Sequence, residues 1–286
     1  RPDTLPEVPD AGTPTASPIE LPLPCTVDVL VVTYRPDMAL LEQCLTSVTQ
    51  QAGVVAGLGL FIFDNSCDPD IAQAIDALLK RVGLPVGISL YYDGSPANLG
   101  FGQAINRLAA QSQADYVVLL NQDAILEPEA LSTLVSCALG DTPEAAAWEM
   151  RQMPYEHPKF YDPATLETPW FSGAGVMIRR SAFNRVGGFE PRLFMYCEDV
   201  ELSWRLRALG LVLQVHINTG DHLQPALVHP FLSKHLLELL ASIDGKVGRA
   251  DVIALLNPSS VRQVGIFGLH HLLFSDIPIA QHEFQH

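Results

Sequence analysis

The chain has 286 residues, 48% of them hydrophobic and 17% charged, with a formal net charge of -15. This composition excludes a disordered chain and suffices for one full α/β domain plus an appendage. So acidic a surface repels phosphate backbones and anionic lipid, which argues against nucleic acid or a membrane surface as partner.

In chain order, residues 1–25 come first, with Pro2, Pro6, Pro9, Pro14, Pro18, Pro22 and Pro24. They are expected to form an extended linker or a strap along the surface, neither helix nor ladder. The chain opens on Arg1 without a signal-peptide apolar region, so it reads as cut from a longer polypeptide whose other part could carry an anchor or a further domain. From Val27 to Thr33 a β-branched apolar run predicts a buried parallel strand. Pro36-Asp37 opens a helix with Met38, Leu41, Leu45 and Val48 on one face. A second strand, Leu60–Phe63, ends at Asp64-Asn65-Ser66, and a helix follows over about 69–81. A third strand covers Ile88 to Tyr92, and a helix begins near Phe101 with Ala104, Ile105, Leu108 and Ala109 at helical spacing. The fourth strand, Tyr116–Leu120, runs into Asn121-Gln122-Asp123, and Glu127-Pro128-Glu129 starts a further helix.

Four alternations of strand and helix predict a mostly parallel sheet with helices on both faces. Residues 141–170, rich in Pro and aromatics, read as a long functional loop. A strand at Gly175–Ile178, a helix at 181–186, a Gly187-Gly188 turn, a helix at 199–209 and a strand near 211–216 complete the domain, set at 26–230. Residues 231–286 read as a small helical appendage with Leu232–Ile243 its clearest helix. No apolar run approaches the roughly 18 residues needed to cross a bilayer. Five scattered cysteines (Cys25, Cys44, Cys67, Cys137, Cys197) without CxxC spacing point away from a disulfide framework or structural zinc and toward a reducing cytoplasm.

In open α/β sheets, ligands bind beyond the carboxyl ends of the strands. Three strands here end in polar groups: Thr33-Tyr34-Arg35, Asp64-Asn65-Ser66 and Asn121-Gln122-Asp123. Asp123 can hold a hard divalent cation that bridges the phosphates of a nucleotide diphosphate; the same residue would also serve as a turn or cap before the next helix. Asp64 can accept from a ribose or nucleobase edge, or close an Asx turn. Asn98-Leu99-Gly100-Phe101-Gly102 is a glycine-bearing turn opening a helix, suited to close backbone approach by a ligand, but it is not a GxGxxG fingerprint. Glu198 and Asp199 open a helix, where carboxylates suit the dipole and where one of them could act as a general base. His229 could complete a metal shell with Asp123 or be an ordinary histidine. His270, His271, His282 and His286 fit no zinc spacing.

Taken in order, Val-Val-Thr-Tyr-Arg-Pro, Phe-Asp-Asn-Ser, Asn-Leu-Gly-Phe-Gly, Leu-Leu-Asn-Gln-Asp, Ser-Gly-Ala-Gly, Tyr-Cys-Glu-Asp-Val-Glu-Leu-Ser-Trp-Arg and the late Val-His resemble the family 2 glycosyltransferases of the GT-A fold, above all their bacterial rhamnosyltransferase-like branch, over about 27–230. The resemblance implies inverting transfer of a sugar, rhamnose or similar, from a nucleotide-sugar to a glycan or lipid-linked saccharide in surface polysaccharide assembly. It places the donor against Thr33, Tyr34, Arg35, Asp64, Asn98, Gly100, Asn121, Gln122 and Asp123. It implies Mn2+ or Mg2+ held by Asp123 and His229, and Asp199, paired with Glu198, as the base. Asn121 stands where the family's motif has its first Asp, which removes one anionic ligand. The QxxRW pattern of processive synthases is missing, so transfer of one or a few sugars is expected, in the cytoplasm or at the inner face of the membrane through a partner or a missing segment. The alternatives are a non-catalytic binding or scaffolding module of a larger protein and, behind it, a sugar nucleotidyltransferase, for which the basic glycine-rich loop is wanting.

Overall fold

The computed structural model describes residues 21–153, 160–216 and 226–228. Its elements run β1 (Leu23–Thr33), α1 (Met38–Thr49), β2 (Val55–Asp64), α2 (Pro69–Val82), β3 (Ile88–Gly94), α3 (Phe101–Ala109), β4 (Tyr116–Asn121), β5 (Ile125–Leu126), α4 (Ala130–Gly140), β6 (Ala145–Met153), β7 (Gly175–Arg179), α5 (Arg180–Arg185), α6 (Glu198–Ala208), β8 (Val212–His216) and β9 (Ala226–Val228). The first half follows the expected alternation, and Asp37 caps α1 by accepting from the N–H groups of Ala39 and Leu40 at 2.9 and 3.2 Å. Asp68 caps α2 in the same way, ahead of Pro69 at the first turn.

The sheet order is β3-β2-β1-β4-β7-β6-β9-β5, with β8 beside β6. The pairs β3-β2, β2-β1 and β1-β4 are parallel, while β7 runs antiparallel to both β4 and β6. The sheet is therefore mixed, though mostly parallel. Alternate residues of the central strands feed two cores. On one face Val27, Val29 and Val31 pack with Leu41, Leu45, Ile75, Leu78 and Leu134 from α1, α2 and α4. On the other, Leu30, Val117 and Leu119 meet Ile105, Leu108, Phe183, Leu202 and Leu206 from α3, α5 and α6. Each of these buried apolar side chains contributes about 1.5–3 kcal/mol. The central strands are covered on both faces, which is why they read as apolar runs, interrupted in β1 by Asp28, whose buried carboxylate accepts from Ser112 Oγ at 2.6 Å.

Two expected spans differ from the observed elements. The 141–170 segment is not wholly a loop: its first third is β6, paired with β7, β8 and β9. Ala145-Ala146-Ala147 carries no β-branched signal, but all three are buried between neighbouring strands, and tertiary packing overrides propensity. β1 begins at Leu23, inside the segment expected to be linker, with Leu23 paired to Val55 and the register shifting before Thr26. β5, only two residues long, is too short to carry a strand's alternation. The leader 1–20, His229, and the tail 231–286 with its four histidines lie outside the described residues.

Candidate active site

The register brings the polar strand ends to one level. Thr33 lies opposite Asp64, Val32 opposite Asn121, and Asp64 opposite Gly94. Parallel strands that finish together make a single mouth, and hydrogen bonds joined by short stretches of main chain run around it. Thr33 Oγ1 donates to Asp64 Oδ1 at 3.0 Å, and the same oxygen accepts from Ser66 N–H at 2.9 Å. Thr33 and Asp64 are both buried, so this bond orients the carboxylate in a place of low dielectric. Arg35 N–H donates to Ser66 Oγ at 2.8 Å, with Arg35 itself in the left-handed region at φ 42°. Tyr34 and Arg35 are exposed, and the guanidinium stands 5.6 Å from the Tyr34 ring centroid.

Asn65 links β2 to the α3 turn. Its Nδ2 donates to Gly100 O at 3.0 Å and its Oδ1 accepts from Leu99 N–H at 3.1 Å. Asn98 Oδ1 accepts from Gly100 N–H at 2.9 Å. Gly100 has φ 78°, and a Cβ there would stand 2.1 Å from the carbonyl oxygen of Phe194. The space on the Cβ side of this glycine is thus filled by the protein's own chain. Phe101 N–H also donates to that carbonyl at 3.2 Å.

From Phe194 the main chain passes to the acidic pair. Tyr196 and Cys197 both hold left-handed conformations, φ 68° and 64°, and α6 starts at Glu198. Two consecutive non-glycine residues in this region cost of order 1–3 kcal/mol each and persist where surrounding structure enforces them, commonly at functional sites. Asp199 Oδ1 accepts from Val200 N–H at 2.8 Å and Oδ2 from Gly173 N–H at 3.1 Å. Gly173 is one residue from Ala174, whose carbonyl accepts from Asn121 N–H at 3.0 Å. The Asp199 carboxylate and the strand end that carries Asp123 therefore meet at the same mouth, one on each side of Gly173-Ala174.

Glu198 is 7% exposed, and its Oε2 is buried with no hydrogen-bond partner among the described residues. Burial, and then the charge of Asp199, push its carboxyl up from 4.5 to about 7. The same causes raise the Cys197 thiol. On the other side, burial and then the negative charge of Asp123 raise the Cys44 thiol, which donates to Asn121 O at 3.5 Å. Asp123 is half-buried. Among the described residues, no three His, Cys, Asp or Glu side chains gather into a group that could hold a metal ion. A hard cation shared with a diphosphate takes most of its shell from phosphate oxygens and water and needs only one or two protein carboxylates, a role that Asp123 fits.

The strand-end residues and the acidic pair named from the sequence lie together at this mouth. The sequence signals did not single out Asn65, Ser66 or Phe194. The first two sit in a polar cluster after an apolar run and could have been weighed with Asp64; Phe194 acts through its main chain and leaves no mark in the sequence. Gln122 gives its amide to the main chain of Tyr34.

The Glycosyl transferase family 2 model matches residues 28–200. An N-acetylglucosaminyl-diphospho-decaprenol L-rhamnosyltransferase of Mycobacterium tuberculosis is 28% identical over 240 residues, covering 68% of this chain and 74% of that protein. The rhamnosyltransferase WbbL of Escherichia coli is 46% identical over 44 residues, 15% of this chain and 17% of its own. Among solved structures, the mannosyltransferase PcManGT of Pyrobaculum calidifontis, in complex with GDP-Man and Mn2+, covers 83% of this chain and 70% of its own with a TM-score of 0.59 at 17% identity. At that identity the likeness speaks for the GT-A-like fold alone. No helix among the described residues is long and apolar enough to cross a membrane.

Proposed function

The chain belongs to glycosyl transferase family 2, and from that premise we propose that it transfers a sugar, rhamnose or a close relative, from a nucleotide-diphosphate donor to a saccharide acceptor with inversion. One observation carries this reading: Asp199 and the Asp123 strand end meet across Gly173-Ala174 at the mouth of the sheet. A scaffold has no physical need to anchor an acid of the first turn of α6 on the segment that also holds the end of β4.

In this reading the Asp64 carboxylate, oriented by Thr33 and Ser66, accepts from the donor's nucleoside, and Arg35 faces its anionic part. Asp123, with His229 outside the described residues, would hold a divalent cation together with the diphosphate. Such an ion, Mn2+ or Mg2+, supplies charge neutralisation for the leaving group. Asp199 removes the acceptor hydroxyl proton as the new C–O bond forms at the anomeric carbon and the bond to the phosphate oxygen breaks. Gly173 and Val200 N–H groups fix its orientation, which is what a general base needs first. The named activity of the mycobacterial relative makes a diphospho-lipid-linked saccharide the acceptor to try first, and bacterial surface polysaccharide assembly the setting.

The test is a panel of nucleotide-sugars with Mn2+ or Mg2+, read by nucleoside diphosphate release and by NMR of the product. Release that depends on acceptor, with an inverted anomeric centre, is expected. Retention of configuration would overturn the in-line step, and failure of every donor to bind would overturn the assignment of the mouth as a donor site.

A further inference from the structure

Gln122 occupies the middle of the Asn121-Gln122-Asp123 strand end, between two residues that the proposed function uses. Its side chain points along the mouth to β1. Oε1 accepts from Tyr34 N–H at 2.9 Å, and Nε2 donates to Tyr34 O at 3.3 Å. The two bonds fix which end of the amide is oxygen, since one partner is a donor and the other an acceptor.

The ladder between β1 and β4 ends at Val32 opposite Asn121. Two residues further on, Tyr34 has left the sheet, and its N–H and C=O would otherwise face the mouth. The primary amide of Gln122 imitates the main chain and adds one more rung. From the opposite side, Ser66 Oγ accepts from Arg35 N–H at 2.8 Å. The short Tyr34-Arg35 segment, with Arg35 in the left-handed region, is thus gripped by β4 on one flank and β2 on the other. It presents an exposed aromatic ring and a guanidinium stacked near it.

We propose that Gln122 is a positioning residue for the donor: it does not touch the nucleotide-sugar but clasps the Tyr34-Arg35 main chain, so that these two side chains form a pre-ordered wall of the donor site. This rests on the proposed function for the wall's purpose, while the clasp itself rests only on geometry. Ordering a wall before binding lowers the entropic cost of association, so its loss weakens donor binding more than it slows the chemistry. The requirement on the side chain is strict. Asn is one methylene short; Glu can accept from Tyr34 N–H but sets a negative oxygen against Tyr34 O; Met fills the volume and makes neither bond.

The test compares the full-length wild type with Gln122→Met and Gln122→Glu. Hydrogen–deuterium exchange of the peptide spanning 33–36 is followed without donor, and donor KM and kcat are measured with Mn2+. The clasp predicts about tenfold faster exchange at Tyr34 in Gln122→Met, the loss expected when two net hydrogen bonds go. Donor KM should rise about fivefold to tenfold with kcat falling by a smaller factor, and Gln122→Glu should lie between Met and wild type. Unchanged exchange with a raised KM would overturn the proposal, because Gln122 would then meet the donor directly. Faster exchange with an unchanged KM would also overturn it, since the wall would not need the clasp. If the wild type binds no nucleotide-sugar, the proposed function fails and the donor role of Gln122 with it, while the exchange measurement still decides whether the clasp exists.

Discussion

Replacing Glu198 by Gln should stabilise this protein, and only above a certain pH. The side chain is 7% exposed, its Oε2 has no partner among the described residues, and Asp199 is its neighbour. Its carboxyl rises from 4.5 to about 7, with burial the larger cause and the Asp199 charge the next. A tenfold change in proton affinity is worth about 1.4 kcal/mol, so forcing Glu198 to ionise in the native state costs about 3 kcal/mol. Between about 4.5 and 7 the folded protein keeps a proton that the unfolded chain has released, so stability falls as pH rises through this window and is level above it. Gln keeps the shape and has no charge to bury, so its stability lacks that slope. Urea denaturation of wild type and Glu198→Gln at pH 4, 6 and 8, without divalent metal, measures the difference. The two should agree at pH 4, and the variant should be more stable at pH 8 by up to about 3 kcal/mol, or roughly 5–10 °C in Tm for a protein of this size. An equal difference at every pH, or a variant less stable at pH 8, would refute the account of Glu198 as a buried, penalised acid. If Glu198 serves the proposed transfer beside Asp199, the stabilised variant should also turn over more slowly.

Other changes probe other parts of the mouth. Gly100→Ala puts a Cβ 2.1 Å from the Phe194 carbonyl at a backbone φ of 78°, so a loss of about 2–4 kcal/mol is expected in denaturant titration. Thr33→Val removes the hydroxyl that orients Asp64, at a cost of about 1–2 kcal/mol in stability and with weaker nucleotide binding by calorimetry. Asp123→Ala should abolish the extra thermal stabilisation that a nucleoside diphosphate gains from added Mn2+; an undiminished metal-dependent shift would remove Asp123 from the cation site.

Much of this architecture is legible in the chain itself. Val27–Thr33, Leu60–Phe63 and Tyr116–Leu120 are apolar because both faces of the sheet are covered, and each stops abruptly at the polar residues that line the mouth. Asp37 and Asp68 mark helix starts by side-chain chemistry that is local to a few residues. What could not be read is what depends on distant partners. β6 is built on alanines and holds Glu149, which only its neighbours in the sheet make a buried strand residue. Gly100 looks like any helix-opening glycine until the Phe194 carbonyl is seen against it. Gln122 reads as a ligand for the donor by its place between Asn121 and Asp123, and only the fold shows its amide turned to Tyr34. The burial of Glu198 is likewise invisible, because a Glu-Asp pair at a helix start is most simply read as ordinary dipole pairing.

In the proposed transfer the Asp199 carboxylate takes the proton, at a mouth where other residues bind the donor. The direct measurement sets Asp199→Asn beside wild type in a transfer assay with nucleotide-sugar, Mn2+ and acceptor, and in calorimetric titration of the donor. Loss of kcat by about 10²–10⁴-fold, with the donor Kd changed by no more than about threefold, is the predicted result. Transfer at a near wild-type rate by Asp199→Asn would contradict it.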